Sequence, residues 1–177
     1  QETQTVHIPE SRLISRAHLE ALVRHEIGVH IRRRQNAEKT NFKLLTLGLD
    51  HYIKGDEGLG KYEELKVWPQ AFGPSIQNYV GVAMVRGVDG KQRTFRELFD
   101  FFIQYLTEAE AWTRVEKIFL GTTGQSRGFC FTKDLMYLDG YYGILDTIEK
   151  RPQEQARFLV GKYDPTNEWH RAVLDGL

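Results

Sequence analysis

Two histidines lie five residues apart in a segment that is otherwise typical of a helix. The segment reads H-E-I-G-V-H, residues 25–30. In the usual zinc-peptidase signature, H-E-x-x-H, the histidines are four apart and share one helix face, with the glutamate as general base. On a regular helix of 3.6 residues per turn, a spacing of five residues places the second histidine about 140° around the helix axis from the first. The match is therefore either accidental or requires a one-residue bulge.

Gly28 stands between the two histidines and needs a physical reason, because glycine costs about 1 kcal/mol relative to alanine inside a helix. A π-bulge is one explanation, since such bulges are often found at functional sites. Close packing against another helix is the other. A bulge predicts that Arg33, and not Arg32, lies on the side of the histidines. The alternative is a solvated helix with His25 and His30 on different faces.

The chain is predicted to form one mostly α-helical domain over residues 1–177. Thr5–Pro9 alternates and stops at a proline, which predicts a short N-terminal edge strand and an α+β class. Ser15 is a candidate cap for a helix from Arg16 to about Asn36, with Leu19, Leu22, Val23 and Ile27 at helical spacing. A second helix is predicted over 42–54, with a stop at Gly55, and a third begins near Asp56. A fourth runs from Pro74 to a turn at 87–90, and two more begin at capping boxes at Thr94 and Thr107. The last two run from Thr132 to Glu149 and onward from an Asp164-Pro165 cap.

Charge and cysteine content limit the classes of partner and site. Twenty-four basic side chains balance 24 acidic ones, which argues against nucleic acid or an anionic membrane as an obligatory partner. Cys130 is the only cysteine, so an internal disulfide and a Cys-rich zinc site are excluded. No apolar run approaches 18 residues, so no membrane span is predicted. Without a leader pattern, the reducing cytoplasm is the default location.

Histidine and carboxylate are therefore the candidate metal ligands. A catalytic zinc takes three protein ligands and keeps one open position, and two histidines with one glutamate are an established set. His25 and His30 are two candidates, and Glu57, near the start of the next predicted helix, is the third. Gly58 behind it would allow two helices to approach closely. Glu26 occupies the position of the general base that accepts a proton from the zinc-bound water.

These residues resemble the microtubule-associated tyrosine carboxypeptidases and their bacterial relatives, the flavohaemoglobin expression-modulating proteins with a Q-E-G-L-A motif. The family pattern runs H-E-I-G-x-H, then x-x-R-x-x-N, then E-G-L-A. This chain has H-E-I-G-V-H at 25–30, then Arg33 and Asn36, then E-G-L-G at 57–60. Two departures are Asp56, where Gln or Glu is expected, and Gly60 in place of Ala.

A second motif strengthens the resemblance. Residues 131–140 read F-T-K-D-L-M-Y-L-D-G, which is similar to the family's F-T-K-D-x-x-Y-L-x-G. The similarity extends from about Val6 to Lys162. It implies a zincin-like metallopeptidase with an active-site helix that uses Zn²⁺ to remove a C-terminal residue from a peptide or protein.

The resemblance also implies roles for individual residues. His25, His30 and Glu57 would be the metal ligands, and Glu26 the general base.

A carboxypeptidase must also hold the free carboxylate of its substrate with a cation. Arg33, Arg127 and Lys133 are the candidate substrate-binding residues. Tyr137 lies four residues beyond Lys133 on the same helical face and is a candidate catalytic donor to the oxyanion. For each of these, a surface salt bridge or a structural hydroxyl is the alternative.

Two other functions remain open on the sequence. A non-catalytic zinc-binding regulatory or interaction domain would be favoured by a fourth protein ligand, for which His51 is the candidate. A metal-free helical scaffold is the third interpretation. Family proteins are longer, and 24 residues precede His25 here. We therefore expect the C-terminal part of a longer family domain, with a missing N-terminal segment or a second chain completing the cleft.

Overall fold

The computed structural model describes residues 6–8, 10 and 13–176, without the side chains of residues 73–75. The helices are α1 (Arg16–Leu22), a π-helical segment (Val23–Ile31), α2 (Arg32–Lys39), α3 (Leu44–Leu47), α4 (Ile53–Val67), a 3₁₀ turn (Pro69–Ala71), α5 (Phe72–Arg86), α6 (Phe95–Phe102), α7 (Glu108–Ile118), α8 (Lys133–Lys150), a second 3₁₀ segment (Pro152–Arg157) and α9 (Glu168–Asp175).

The mostly α-helical class is confirmed, and no strand occurs in the part of the chain that the structure describes. Val6, His7 and Ile8 are irregular, so they give no support to the predicted edge strand. Thr5 and Pro9, where that strand is expected to begin and end, lie outside the described residues. Among the described helices, none is both long and apolar enough to cross a membrane.

The chain forms two compact units. One contains the described residues up to Ala71 and those from Met136 onward, and the other is Phe72–Leu135. The single domain predicted over residues 1–177 stays a prediction.

The unit Phe72–Leu135 is built from α5, α6 and α7 around its own apolar core. Val82, Leu98 and Val115, one from each helix, are fully buried there. Both predicted capping boxes are confirmed. Thr94 caps α6 and Thr107 caps α7. In each case the side chain of a glutamate three residues later accepts a hydrogen bond from the backbone N–H of the cap residue. Both capping boxes could be predicted because they depend only on residues that are close in the sequence.

The other unit is organised around α4, which packs against both the π-helical segment and α8. Gly58 on α4 lies directly against Gly140 on α8, because a Cβ at Gly58 would fall 2.2 Å from the Gly140 carbonyl carbon. The close approach predicted for Gly58 is confirmed. It joins the two sequence motifs, since Gly140 is the last residue of the second one.

Three helix boundaries predicted from sequence are wrong. No helix covers 42–54; α3 is a single turn, and α4 begins at Ile53 and continues through Gly55. Gly55 is in the helix interior because it packs against another segment: a Cβ there would lie 2.6 Å from the Cα of Asp164. The last helix is capped by Asn167 and not by Asp164, whose carboxylate accepts instead from the backbone and hydroxyl of Thr166.

The first helix begins as predicted, because Ser15 accepts a hydrogen bond from the His18 amide. Most of the apolar residues whose spacing predicts this helix are not buried. Leu19, Val23 and Ile27 are 44%, 45% and 47% exposed. The apolar spacing therefore indicates a helix correctly but does not mark the face that packs.

We predict that Gly140→Ala destabilises the protein by about 1–3 kcal/mol, the usual cost of overpacking. A Cβ at Gly140 would lie 2.1 Å from the Lys54 carbonyl oxygen and 2.9 Å from the Gly58 Cα, which are backbone atoms and cannot move cheaply. Urea unfolding measures the change. The matched control is Gly28→Ala, whose Cβ would meet nothing closer than the Val23 carbonyl at 3.7 Å. Equal stability of the two variants would contradict the prediction.

Candidate metal centre

The pitch of the helix between Arg16 and Lys39 brings the two histidines together. Its buried residues recur every four positions: Ala21, His25, Val29, Arg33 and Ala37. A regular α-helix would rotate such a stripe by about 40° at each step. The wider π-helical turns of Val23–Ile31 compensate for this rotation. The imidazole centroids of His25 and His30 lie 5.0 Å apart, so the predicted bulge is confirmed.

His25, His30 and Glu57 form a group that could hold a metal ion, with ligand atoms all within 4.8 Å of one another. The Glu57 Oε2 atom lies 3.4 Å from His25 Nε2 and 3.6 Å from His30 Nε2. Ligands at about 2.0–2.1 Å from a tetrahedral zinc are separated from each other by about 3.3 Å. The two distances from Glu57 to the imidazole nitrogens are close to that separation, so the group could hold a tetrahedral ion such as zinc.

The second nitrogen of each imidazole faces a different carboxylate. His25 Nδ1 lies 3.3 Å from Glu64 Oε2, and His30 Nδ1 lies 2.7 Å from Asp56 Oδ2. An ionised carboxylate only accepts hydrogen bonds, so both Nδ1 atoms donate. In the neutral imidazole this leaves each Nε2 with its lone pair, directed toward Glu57. That tautomer is the one that a metal requires.

The carboxylates also change the pKa values of the group. Burial lowers the pKa of His30, but hydrogen bonds to Asp56 and Glu57 outweigh it and raise the value to about 10. Burial likewise opposes a raised pKa at His25, where Glu57 and Glu64 prevail. Burial acts to raise the pKa values of Asp56, Glu57 and Glu64, but the neighbouring imidazoles outweigh it and lower these pKa values. In the absence of metal, a proton on His30 therefore balances the negative charge.

Arg33 lies on the side of the histidines, as the bulge predicts. Its side chain is fully buried, and it donates to Asp56 Oδ1 at 2.6 Å and to the Tyr163 carbonyl. Asn36, one turn later, donates to the Leu159 carbonyl. The R-x-x-N part of the motif thus attaches this helix to the segment before α9. Arg33 is one of the three candidates for binding the substrate carboxylate, and in the structure its guanidinium bonds to protein groups.

Glu26 differs from the other acidic residues of this region. Its side chain is partly buried. Glu57, Asp56 and Glu64 each contact a histidine, whereas no hydrogen bond or ion pair to Glu26 occurs among the described residues. Its negative charge acts on the adjacent His25. Glu26 therefore has a carboxylate that is not engaged in holding the site.

A glycine on α4 leaves room for the centre. A Cβ at Gly60 would lie 2.6 Å from His25 Nε2, so the glycine found where the family pattern has alanine makes space for the imidazole. Gly28 has no such neighbour, since its nearest contact would be the Val23 carbonyl. Close helix packing is therefore the wrong explanation for Gly28. It lines a cavity of about 300 Å³ together with Leu59 and Tyr62.

The other predicted site residues have varied surroundings. Arg127 donates to Glu97 Oε2 at 2.6 Å and to the Gln92 carbonyl on an exposed surface. Lys133 is exposed at the first position of α8, and Tyr137 is half-buried one turn before Gly140.

His51 is not part of the metal group. It is 91% exposed and lies 3.5 Å from Asp50, and the group found among the described residues has three members.

Asp56 and Glu64 are site residues that the sequence prediction missed. A usable signal was present, because Glu64 follows Glu57 by seven residues, or two helical turns, and so shares its face. Asp56 is visible in the sequence only as a departure from the family pattern.

Comparison with known proteins agrees with the motifs. The family model described as microtubule-associated tyrosine carboxypeptidase matches residues 2–168. The chain belongs to this family. The microtubule-associated tyrosine carboxypeptidase 1 of Mus musculus is 30% identical over 133 residues, which are 72% of this chain and 27% of the mouse protein. The chain thus spans about a quarter of the length of this relative. No solved structure gives a significant match.

Chelator-treated protein is expected to lose stability as the pH rises from about 6.5 to about 10. The pKa of His30 is raised from 6.5 to about 10 in the folded state. Its stabilising contribution is therefore complete below pH 6.5 and lost as the pH passes through 10. Urea unfolding across this range measures the slope. His30→Gln lacks the titrating group and should show a flatter profile; identical slopes would contradict the assignment.

Proposed function

We propose that this chain forms the zinc site of a metallocarboxypeptidase of the zincin type. The observation that carries the proposal is the group His25, His30 and Glu57, whose spacing suits a tetrahedral ion. Membership of a carboxypeptidase family supports it. The ligand set is two histidines from the π-helical segment and one glutamate from α4.

Zinc, when bound, supplies a Lewis acid that polarises the scissile carbonyl and acidifies water. Glu26 is the proposed general base. Its carboxylate accepts a proton from the attacking water and returns it to the nitrogen of the leaving amino acid. Glu26 suits this role because it adjoins a ligand, is partly buried, and makes no hydrogen bond or ion pair with the described residues that would have to be broken.

The substrate-facing roles stay predictions. Tyr137 is the proposed donor to the oxyanion, and Lys133 and Arg127 are the proposed partners of the substrate carboxylate. Arg127 would have to exchange its partner Glu97 to serve in this way. We assign Arg33 a different role because it is fully buried and already bonded to Asp56.

The proposed substrate is a peptide or protein with a free C-terminal carboxylate. The name of the family specifies tyrosine as the residue removed, and a C-terminal tyrosine is the first residue to test here.

A non-catalytic zinc domain is the competing function. It would be favoured by a closed shell of four protein ligands. Among the described residues the group has three members, and His51 is exposed to solvent. Both observations favour a metal with one coordination position open for water or substrate.

Glu26→Gln is expected to abolish peptide cleavage and leave one zinc bound, because the amide cannot accept the proton while the three ligands are untouched. Zinc content and release of the C-terminal amino acid are measured on the same sample. Glu63→Gln is the control, since Glu63 pairs with Lys66 on α4 and contacts no ligand. Cleavage by the Glu26 variant at the wild-type rate would overturn the mechanism.

Zinc-loaded protein is expected to release the last residue from peptides that end in a free carboxylate and to leave the C-terminal amide of the same peptide intact. The set should end in Tyr, Phe, Ala or Lys, with amino-acid release followed by mass spectrometry. Stoichiometric zinc without cleavage of any peptide would support the non-catalytic alternative. A chain that binds no zinc would exclude both.

A further inference from the structure

We propose that Asp56 and Glu64 are positioning residues, which orient His30 and His25 for the metal and are themselves held by Arg33 and Lys61. This inference rests on the proposed zinc function and deepens it. Neither carboxylate belongs to the group of three candidate ligands.

The first arm of this arrangement runs from His30 to Arg33. His30 Nδ1 donates to one oxygen of Asp56 at 2.7 Å, and Arg33 donates to the other oxygen at 2.6 Å. The Arg33 side chain is fully buried and that of Asp56 is 9% exposed. Arg33 also donates to the Tyr163 carbonyl, and its guanidinium lies 5.1 Å from the Tyr163 ring centroid. Asp56 therefore cannot move without breaking a buried charge pair.

The second arm repeats this pattern at the other histidine. His25 Nδ1 lies 3.3 Å from Glu64 Oε2, and Lys61 lies 3.3 Å from Glu64 Oε1. The Lys61 ammonium is 3.4 Å from the Ala71 carbonyl, and its side chain is 7% exposed. Each imidazole is thus bonded to a carboxylate that is bonded in turn to a cation.

One helix carries most of this apparatus. Asp56, Glu57, Lys61 and Glu64 all belong to α4, and only Arg33 comes from α2. A metal-binding histidine commonly donates its other nitrogen to a carboxylate, which fixes the ring orientation and raises the basicity of the ligand. Because α4 provides both the third ligand and the two orienting carboxylates, its register against the π-helical segment sets the whole ligand geometry.

The two arms differ in strength. The bonds of Asp56 are shorter than those of Glu64, and Arg33 is more deeply buried than Lys61. Charge-assisted hydrogen bonds strengthen as they shorten and lose water. We therefore expect the loss of Asp56 to weaken metal binding more than the loss of Glu64.

The test compares Asp56→Asn, Glu64→Gln and the control Glu63→Gln, which changes the neighbouring carboxylate on the same helix. Zinc affinity is measured by competition with a chromophoric chelator. Loss of a carboxylate that orients a ligand commonly lowers metal affinity about 10- to 100-fold. We expect a loss in this range for Asp56→Asn, a smaller loss for Glu64→Gln, and wild-type affinity for Glu63→Gln.

Two further measurements separate positioning from general stability. Visible absorption of the Co²⁺-substituted proteins reports the ligand geometry, and it should change for the first two variants only. Urea unfolding of the chelator-treated proteins shows whether each variant folds. If Asp56→Asn does not fold, because Arg33 is left without its carboxylate partner, the less buried Glu64→Gln still decides the question.

The outcomes distinguish this inference from the proposed function. Wild-type protein that binds no zinc overturns the proposed function itself. Wild-type protein that binds zinc, with Asp56 and Glu64 variants of unchanged affinity and unchanged Co²⁺ spectra, overturns the positioning roles alone. An equal loss of affinity in Glu63→Gln also overturns them, because the effect would then come from the charge of α4 in general.

Discussion

The helix that carries His25 and His30 has to present a stripe of buried residues with a period of four, and a regular α-helix turns too tightly to do so. The π-helical segment Val23–Ile31 resolves this mismatch. Val29 then lies in the core against Leu59 and Ile144. With Val29 held there, the histidines on either side of it meet Glu57. A regular helix would keep Val29 in the core only by turning His30 away.

The polar groups at the centre form a continuous chain of alternating basic and acidic side chains. It runs from Arg33 through Asp56, His30, Glu57, His25 and Glu64 to Lys61. Buried charges are costly unless they are paired and hydrogen-bonded. Here each acidic group contacts a basic group on both sides, so the cost of burial is offset along the chain. Glu26 lies outside this chain, which suits the general-base role that we propose for it.

Capping signals, whose partners are near in the sequence, are mostly predicted correctly, whereas the contacts of residues that meet distant segments are mostly not. The caps at Ser15, Thr94 and Thr107 are predictable because both partners of each bond lie within three residues. Gly55 resembles a helix stop in the sequence, but a glycine is needed there because the helix packs closely against Asp164, more than a hundred residues later. The same limit applies to the centre: the candidate ligands can be identified from a motif, whereas the partners of Arg33 and Lys61 require the fold.

The sequence by itself determined the helical class, the family, and the identity of the residues that could bind a metal. The five-residue spacing and Gly28 even indicated the bulge, because helical pitch is a local property. Only the tertiary structure decided what each group contacts. Arg33 became a partner of Asp56, and Glu64 became a partner of His25, because α4 packs across the π-helical segment. Contacts between helices depend on how distant segments pack together, and the spacing of residues along one helix does not predict them.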